Sequence, residues 1–309
     1  MTESAESRRS PVQVLDGFIL TQHYLQGKGG LELHFWLHSD SGPVLFRATG
    51  QEAVFFARRN DIDLICQLLA ELRHWRHAAV DLKSLDYGPV EALYFRDLNE
   101  HRTALRLIQD AGLDLFEEDI RPPERFLMER FITGSIQLQG QARTLAGVTQ
   151  FDNARARRCD YNPRLKVLSF DIETSMRGQE LYSIGMSGVG GPAGETFDVV
   201  LMRGSGTERP GLRFFDDERQ LLQGFMLLLK EYDPDLLIGW NVINFDLRFL
   251  QNKAESLGIP LILGRKSSKL RLRDSGTNQT FATLQGRAVI DGIDCLKGAT
   301  YQFESFSLE

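Results

Sequence analysis

Val167-Leu-Ser-Phe-Asp-Ile-Glu-Thr174 is the stretch whose reading decides the fold. Leu168, Phe170 and Ile172 alternate with Ser169, Asp171 and Glu173. In a strand, side chains two residues apart share a face. The pattern predicts one apolar face for a core, with Asp171 and Glu173 side by side on the other. Neighbouring carboxylates repel each other and resist sharing a buried site. A divalent cation offsets that repulsion, and hard oxygen ligands suit magnesium or manganese. The alternative at this point is a strand end carrying two solvated acids.

A second stretch, Asp233-Pro-Asp-Leu-Leu-Ile-Gly-Trp-Asn-Val-Ile-Asn-Phe-Asp246, bears on that choice. Leu236 to Ile238 reads as another buried strand and Gly239 to Asn244 as a turn. From Phe245 the spacing turns helical, through Leu247, Leu250, Ala254 and Leu257. Asn244 suits the N-cap, and Gly258 with Pro260 suits the stop. Asp246 then falls in the first helical turn, near the carboxyl end of a strand. Open α/β sheets place their sites there.

With both stretches in hand a family resemblance emerges. Phe170-Asp-Ile-Glu-Thr174 resembles the first exonuclease motif of the family B DNA polymerases, and Gly239-Trp-Asn-Val-Ile-Asn-Phe-Asp246 resembles their second. Three further stretches are similar to the bacterial, DNA polymerase II-type subgroup. They are Arg121-Pro-Pro-Glu-Arg-Phe-Leu-Met-Glu-Arg-Phe-Ile132, Gly286-Arg287 with Asp291-Gly-Ile293, and Phe303-Glu-Ser-Phe-Ser-Leu-Glu309. The resemblance runs from about Gly17 to the last residue. It implies a mixed α/β and α+β chain: an RNase H-like 3′–5′ exonuclease domain preceded by a smaller α+β N-terminal domain. The expected divisions are a disordered tail over 1–12, an N-terminal domain over 13–161 and an exonuclease domain over 162–309.

The same resemblance implies chemistry. Four carboxylates in that family hold two divalent metals, Mg2+ or Mn2+, for phosphodiester hydrolysis. Asp171, Glu173 and Asp246 match three of the four, as catalytic metal ligands. Asn241 and Phe245 match positions that contact the terminal nucleotide, and Ile172 and Thr174 are expected to line the same pocket. The plainer alternatives are a turn-capping Asn241 and a core Phe245 on the helix's apolar stripe. DNA is the implied partner, as a single-stranded primer 3′ end and as primer-template. Deoxynucleotides are implied for a synthesising parent. The first domain's own partner stays open between template, a sliding clamp and the remainder of a polymerase.

The sequence departs from the family in one place. Its third motif supplies a tyrosine followed four residues on by the fourth aspartate. Tyr301 is the only tyrosine after Asp246, and Ser305 stands four residues beyond it. No Tyr-Gly-Asp-Thr-Asp or Ser-Leu-Tyr-Pro stretch of a polymerase palm occurs. All six histidines lie at or before His101, which excludes a histidine general base from the second domain. The expectation is an N-terminal piece of a proofreading polymerase whose own exonuclease activity is weak or absent. The alternative is a standalone, non-enzymatic nucleic-acid-binding module with a degenerate nuclease fold; the reading frame beyond Glu309 separates the two.

The 309 residues are 42% hydrophobic and 25% charged, ordinary for a globular protein of two domains. No apolar run reaches membrane-spanning length, and no secretory h-region follows Arg8 and Arg9. Cys66, Cys159 and Cys295 are widely spaced and odd in number, which fits neither a disulfide framework nor a metal finger. A reducing cytoplasm is the expected setting. The net charge is -6; residues 1–150 hold 16 basic and 21 acidic residues, and residues 151–309 hold 20 and 21. Positive charge in the second half is clustered at Arg155, Arg157, Arg158, Arg164 and Lys166, and at Arg265, Lys266, Lys269, Arg271 and Arg273. Each cluster reads equally as a phosphate contact or as wet surface.

Elsewhere the pattern predicts strands over Gly17–Thr21, Leu31–His38, Val44–Ala48, Val90–Arg96 and Leu113–Phe116. Helices are expected over Asp61–Trp75, from an Asn99 cap to Gly112, and from Pro122 to Phe131. His34 and His38 share a strand face but stand roughly 13 Å apart, too far for joint ligation. Arg121, Arg125 and Arg130 read as partners of nearby acids rather than of DNA. Residues 134–163, rich in Gly, Gln, Arg and Asn, read as a seam. Beyond it, strands are expected over Leu181–Ser187, Glu195–Met202 and Ala288–Ile290, with a helix from Asp217; Gly188 to Pro192 is a hairpin rather than a phosphate loop.

Overall fold

A computed structural model describes residues 11–191, 194–207, 209–276, 279–299, 303, 305 and 306. Residues 1–10, Pro192, Tyr301 and Glu309, on which the tail, hairpin, tyrosine and chain-end expectations fall, lie outside the described residues. Two compact units divide the chain, Met1–Tyr161 and Asn162–Glu309. The first is not the smaller one.

The first unit holds β1 (Val12–Gly27), β2 (Gly30–His38), β3 (Val44–Gln51), β4 (Ala53–Arg58), α1 (Ile62–Leu68), β5 (Trp75–Lys83), β6 (Pro89–Phe95), α2 (Leu98–Asp110), β7 (Leu115–Phe116), α3 (Pro122–Met128), β8 (Ser135–Leu145), β9 (Val148–Asp152) and β10 (Arg155–Arg158). β1 pairs with both β2 and β8, so β1-β2-β3-β9-β8 closes into a ring with β3 and β9 parallel. Leu31, Leu33, Phe35, Phe46, Ile136 and Phe151 fill its interior, none more than 1% exposed. A second sheet, β5-β6-β4-β7, is inserted between β3 and β8 in sequence.

Four expectations for this unit are corrected. Val12, placed in the tail, already pairs with Gln141. The helix from Asp61 ends at Leu68 because the chain finds other acceptors: the Glu100 carboxylate takes the N–H groups of Arg73 and His74 at 3.2 and 2.7 Å. The residue 134–163 seam is three strands. Inward-facing Ile136, Leu138 and Ala142 do alternate, but Gly140 interrupts them, and their pairing comes from β1, more than a hundred residues away in sequence. Asp97, not Asn99, caps α2, accepting the N–H groups of Asn99 and Glu100.

The second unit holds β11 (Lys166–Thr174), β12 (Leu181–Gly190), β13 (Glu195–Arg203), β14 (Leu212–Phe215), α4 (Glu218–Tyr232), β15 (Leu236–Gly239), α5 (Arg248–Ser256), β16 (Arg271–Asp274), β17 (Thr280–Thr283), β18 (Ala288–Asp291) and α6 (Gly292–Lys297). The main sheet runs β14-β13-β12-β11-β15-β18. β11, β12 and β13 are antiparallel neighbours, while β15 and β18 join β11 in parallel. An antiparallel meander followed by crossover strands added beside the first strand is the RNase H-like arrangement. α4 is capped by Asp217, whose carboxylate accepts the N–H of Gln220 at 2.8 Å, and buries Leu221, Leu222, Phe225, Leu228 and Leu229. β14, the β16–β17 hairpin and α6 were not legible beforehand, being four to six residues each.

A buried ion network joins the starts of the parallel strands. Arg265 is 7% exposed and reaches Asp235 at 2.9 Å and Asp233 at 3.1 Å. Arg287, 3% exposed, reaches Asp233 at 2.8 Å and the carbonyl of Leu263 at 2.8 Å. The other oxygen of Asp235 accepts the N–H of Lys166, the first residue of β11, at 3.0 Å. Arg265 is therefore neither a phosphate contact nor a solvated side chain. Its neighbours Arg271 and Arg273 are exposed on β16.

Candidate active site

β11 has the two faces its alternation predicts. Leu168, Phe170 and Ile172 are 0, 2 and 4% exposed, while Asp171 and Glu173 stand in solvent. Asp171 lies across from Gly185 and Glu173 across from Ser183. A cleft of about 380 Å³ opens beside Asp171, with Ser169, Gly185, Val200 and Gly211 among its lining residues.

β15 runs parallel to β11 and delivers the second stretch to the same edge. At its end a Cβ on Gly239 would stand 2.9 Å from the carbonyl oxygen of Phe170, so glycine is what lets the turn approach β11 there. Asn241 takes a left-handed conformation, φ 57°, and its carbonyl accepts the N–H of Phe245 at 2.9 Å. Residues Ile243–Leu247 form one π-helical turn before α5. Such turns concentrate at functional sites. Asn244 is not the helix cap: the turn begins a residue earlier, and the Ile243 N–H donates to Asp291 at 3.0 Å.

Asp246 is carried by this turn and is 1% exposed. Its Oδ1 accepts the N–H of Ile172, the residue between Asp171 and Glu173, at 3.0 Å. Its Oδ2 is buried with no hydrogen-bond partner. Burial, and then the charge of Asp171, push the Asp246 carboxyl up to about 7; Asp291 adds a weaker push in the same direction. The structure thus brings Asp246 and Asp171 together from stretches far apart in the chain.

Among the described residues no three His, Cys, Asp or Glu side chains are grouped closely enough to hold an ion. Asp246 commits one oxygen to the Ile172 backbone, and the β11–β12 register slips just past Glu173, between Glu173 and Thr174. The donor chemistry still fits a cation at the Asp171–Asp246 pair. A buried carboxylate oxygen without a partner, facing a second negative charge, is a group that a hard divalent ion satisfies.

The remaining predicted positions separate. Ile172 belongs by its side chain to the core, and what it brings to the site is its N–H. Thr174 is half-buried, its hydroxyl 3.4 Å from the Ser175 carbonyl. Asn241 is half-buried in the turn. Phe245 is 45% exposed, so the core alternative for it does not hold. Asp291, in the sequence no more than part of a resembling stretch at a strand end, also reaches this turn through the Ile243 N–H.

Comparisons with known proteins give this geometry a lineage. A family model described as DNA polymerase family B, exonuclease domain, matches residues 195–309, and one described as DNA polymerase II, N-terminal, matches residues 17–52. DNA polymerase II of Escherichia coli is 38% identical over 301 residues, covering 95% of this chain and 37% of that protein. A DNA polymerase of Pyrococcus glycovorans is 28% identical over 229 residues, covering 72% of this chain and 26% of that one. The solved family B DNA polymerase of Pyrobaculum calidifontis matches 90% of this chain and 36% of its own, with a TM-score of 0.69 at 20% identity, a likeness of fold. The chain therefore spans well under half the length of these relatives.

Proposed function

The chain belongs to the family B DNA polymerases and carries their DNA polymerase II-type N-terminal and exonuclease regions; on that footing we propose that its second unit is the part of a larger polymerase that hydrolyses phosphodiester bonds at the 3′ end of single-stranded DNA, with weak or no turnover by this piece alone. The whole polymerase to which these regions correspond would copy primer-template from deoxynucleotides and use this unit to remove mispaired ends. A sliding clamp and a cytoplasmic setting belong to the same proposal. No helix among the described residues is long and apolar enough to cross a membrane.

One observation carries the reading: Asp246 is hooked onto the Ile172 amide, beside Asp171, with one buried oxygen unsatisfied. Asp171 and Asp246 would hold magnesium or manganese, with Glu173 on the same strand face as the third ligand. When bound, the metal supplies activated water and offsets charge on the departing 3′ oxygen. The protein's own part is positioning. Asp246 gives up its proton from Oδ2 to become a ligand, so binding strengthens as pH rises toward and past 7. The exposed ring of Phe245 offers a stacking surface to an unpaired terminal base. Asn241 fixes the turn that aims it.

A binding-only role is favoured by a different observation, the absence of a three-ligand cluster among the described residues. One experiment decides. Mn2+ is titrated into the protein by electron paramagnetic resonance, and 3′-end degradation of a single-stranded oligonucleotide is followed in the same buffer. Hydrolysis lost in Asp171→Ala and Asp246→Asn supports the nuclease. Binding of DNA by all three proteins, with Mn2+ affinity unchanged by either substitution, overturns it.

A further inference from the structure

We infer that Asp291 is a positioning residue that sets where Asp246 meets Asp171; the inference rests on the metal-site reading above. Asp291 closes β18, is 3% exposed, and lies beside Gly239 in the parallel pairing of β15 with β18. Both its oxygens are engaged by backbone amides. Oδ2 accepts the N–H of Ile243 at 3.0 Å, and Oδ1 accepts the N–H of Ile293 at 2.9 Å.

Ile243 is the first residue of the π-helical turn, and Asp246 is its fourth. That turn is consequently pinned at two places by two carboxylates. Asp291 ties its start to β18, and Asp246 ties its far side to β11 through the Ile172 N–H. The first amides of any helical turn lack intrahelical acceptors. For a buried one, losing its acceptor is expensive, because the donor is left dry and unpaired. A cap for α6 alone asks for no more than a serine. What only a carboxylate does here is present two acceptors in divergent directions, so that one side chain registers the helical start that follows β15 and the one that follows β18. Both oxygens serve amides, so the role read here is placement of the turn.

The test uses the full chain and Mn2+ as the probe, with Asp246→Asn as reference. Asp291→Ser keeps a cap for Ile293 but leaves Ile243 without its acceptor. Two readouts apart from activity are taken: Mn2+ affinity by electron paramagnetic resonance, and hydrogen exchange at the Ile243 and Ile172 amides. Removing a group that orients a ligand typically weakens metal affinity by about 10–100-fold. Asp291→Ser is expected to do so, with faster exchange at both amides and unchanged protection in β12 and β13. Asp291→Asn, retaining one acceptor, should fall between wild type and Asp291→Ser, and it serves if the serine variant does not fold. Wild-type Mn2+ affinity in the Asp291 variants, with affinity lost in Asp246→Asn, overturns the positioning role. Wild-type affinity in Asp246→Asn removes the metal-site reading, and this inference with it.

Discussion

Replacing Asp246 by asparagine in metal-free buffer should stabilise the second unit above neutral pH. In the unfolded chain the carboxyl titrates near 3.8, whereas burial and the Asp171 charge raise it to about 7 in the fold. On raising the pH from 4, the unfolded chain therefore gives up this proton first, and the fold loses stability with each further unit until about pH 7. Each pKa unit corresponds to about 1.4 kcal/mol, so the ionised carboxylate costs the fold up to about 4 kcal/mol at pH 8. Asparagine keeps the Oδ1 acceptor for Ile172 and places an N–H donor where the protonated acid has its O–H. Below about pH 4.5 the two proteins should thus be nearly equal. Urea unfolding in EDTA, with exchange of the Ile172 amide as the reporter, measures the difference. The advantage of the variant should grow between about pH 4 and 7 and then level off, and added Mn2+ should restore wild type but not Asp246→Asn. A difference that does not change with pH, or a wild type more stable at pH 8 in EDTA, would refute the argument.

Three other outcomes are expected. His101 packs 5.3 Å from Phe55 and 5.4 Å from Phe95, and burial holds its imidazole down at about 4. The unfolded chain takes up this proton first as pH falls below 6.5, so the first unit should lose up to about 3 kcal/mol by pH 4, a slope that His101→Leu removes in acid unfolding curves. Asp235→Ala removes one of the two carboxylates that hold Arg265 and the acceptor of the Lys166 N–H, and should lower the urea-derived stability of the second unit by about 1–3 kcal/mol. Phe245→Ala, at a position 45% exposed, should shift stability by less than about 1 kcal/mol. It should also weaken binding of a single-stranded oligonucleotide on the order of tenfold in a fluorescence titration, the effect of one lost stacking contact.

The sequence was most readable where local pattern and long-range structure coincide. β11 shows its two faces because burial on one side imposes the period of two on Leu168, Phe170 and Ile172. α4 shows its cap and stripe because Asp217 and five leucine or phenylalanine positions are all local signals. The closed ring of the first unit was hidden for the opposite reason. Its closure lies in the pairing of β8 with β1, and β8 presents Gln, Gly and Arg between its inward residues. At the site, the approach of Asp246 was legible, since a strand, a glycine turn and a helical start deliver it to a known edge. Its hydrogen bond to Ile172, the π-helical turn and the second anchor at Asp291 were not. Each depends on a backbone amide left without an acceptor, which no side-chain pattern reports.

The buried network explains why such a site tolerates its own electrostatics. Asp246 lies beside Asp171 and within reach of the Asp291 charge, an arrangement that favours separation. Strand ends carrying like charges stay together only if something else holds the strands. Here the opposite ends of the same strands are tied by opposite charges. Asp235 opens onto β15 and binds Lys166 of β11, while Arg265 and Arg287 bridge Asp233, Asp235 and the approach to β18. The parallel sheet is clamped at its amino edge by ion pairs and left acidic at its carboxyl edge. Repulsion at the acidic end then cannot relax by sliding the strands, because a slip of one residue would turn every core side chain outward. It remains available to be relieved by a cation, which is the condition a metal-binding edge requires.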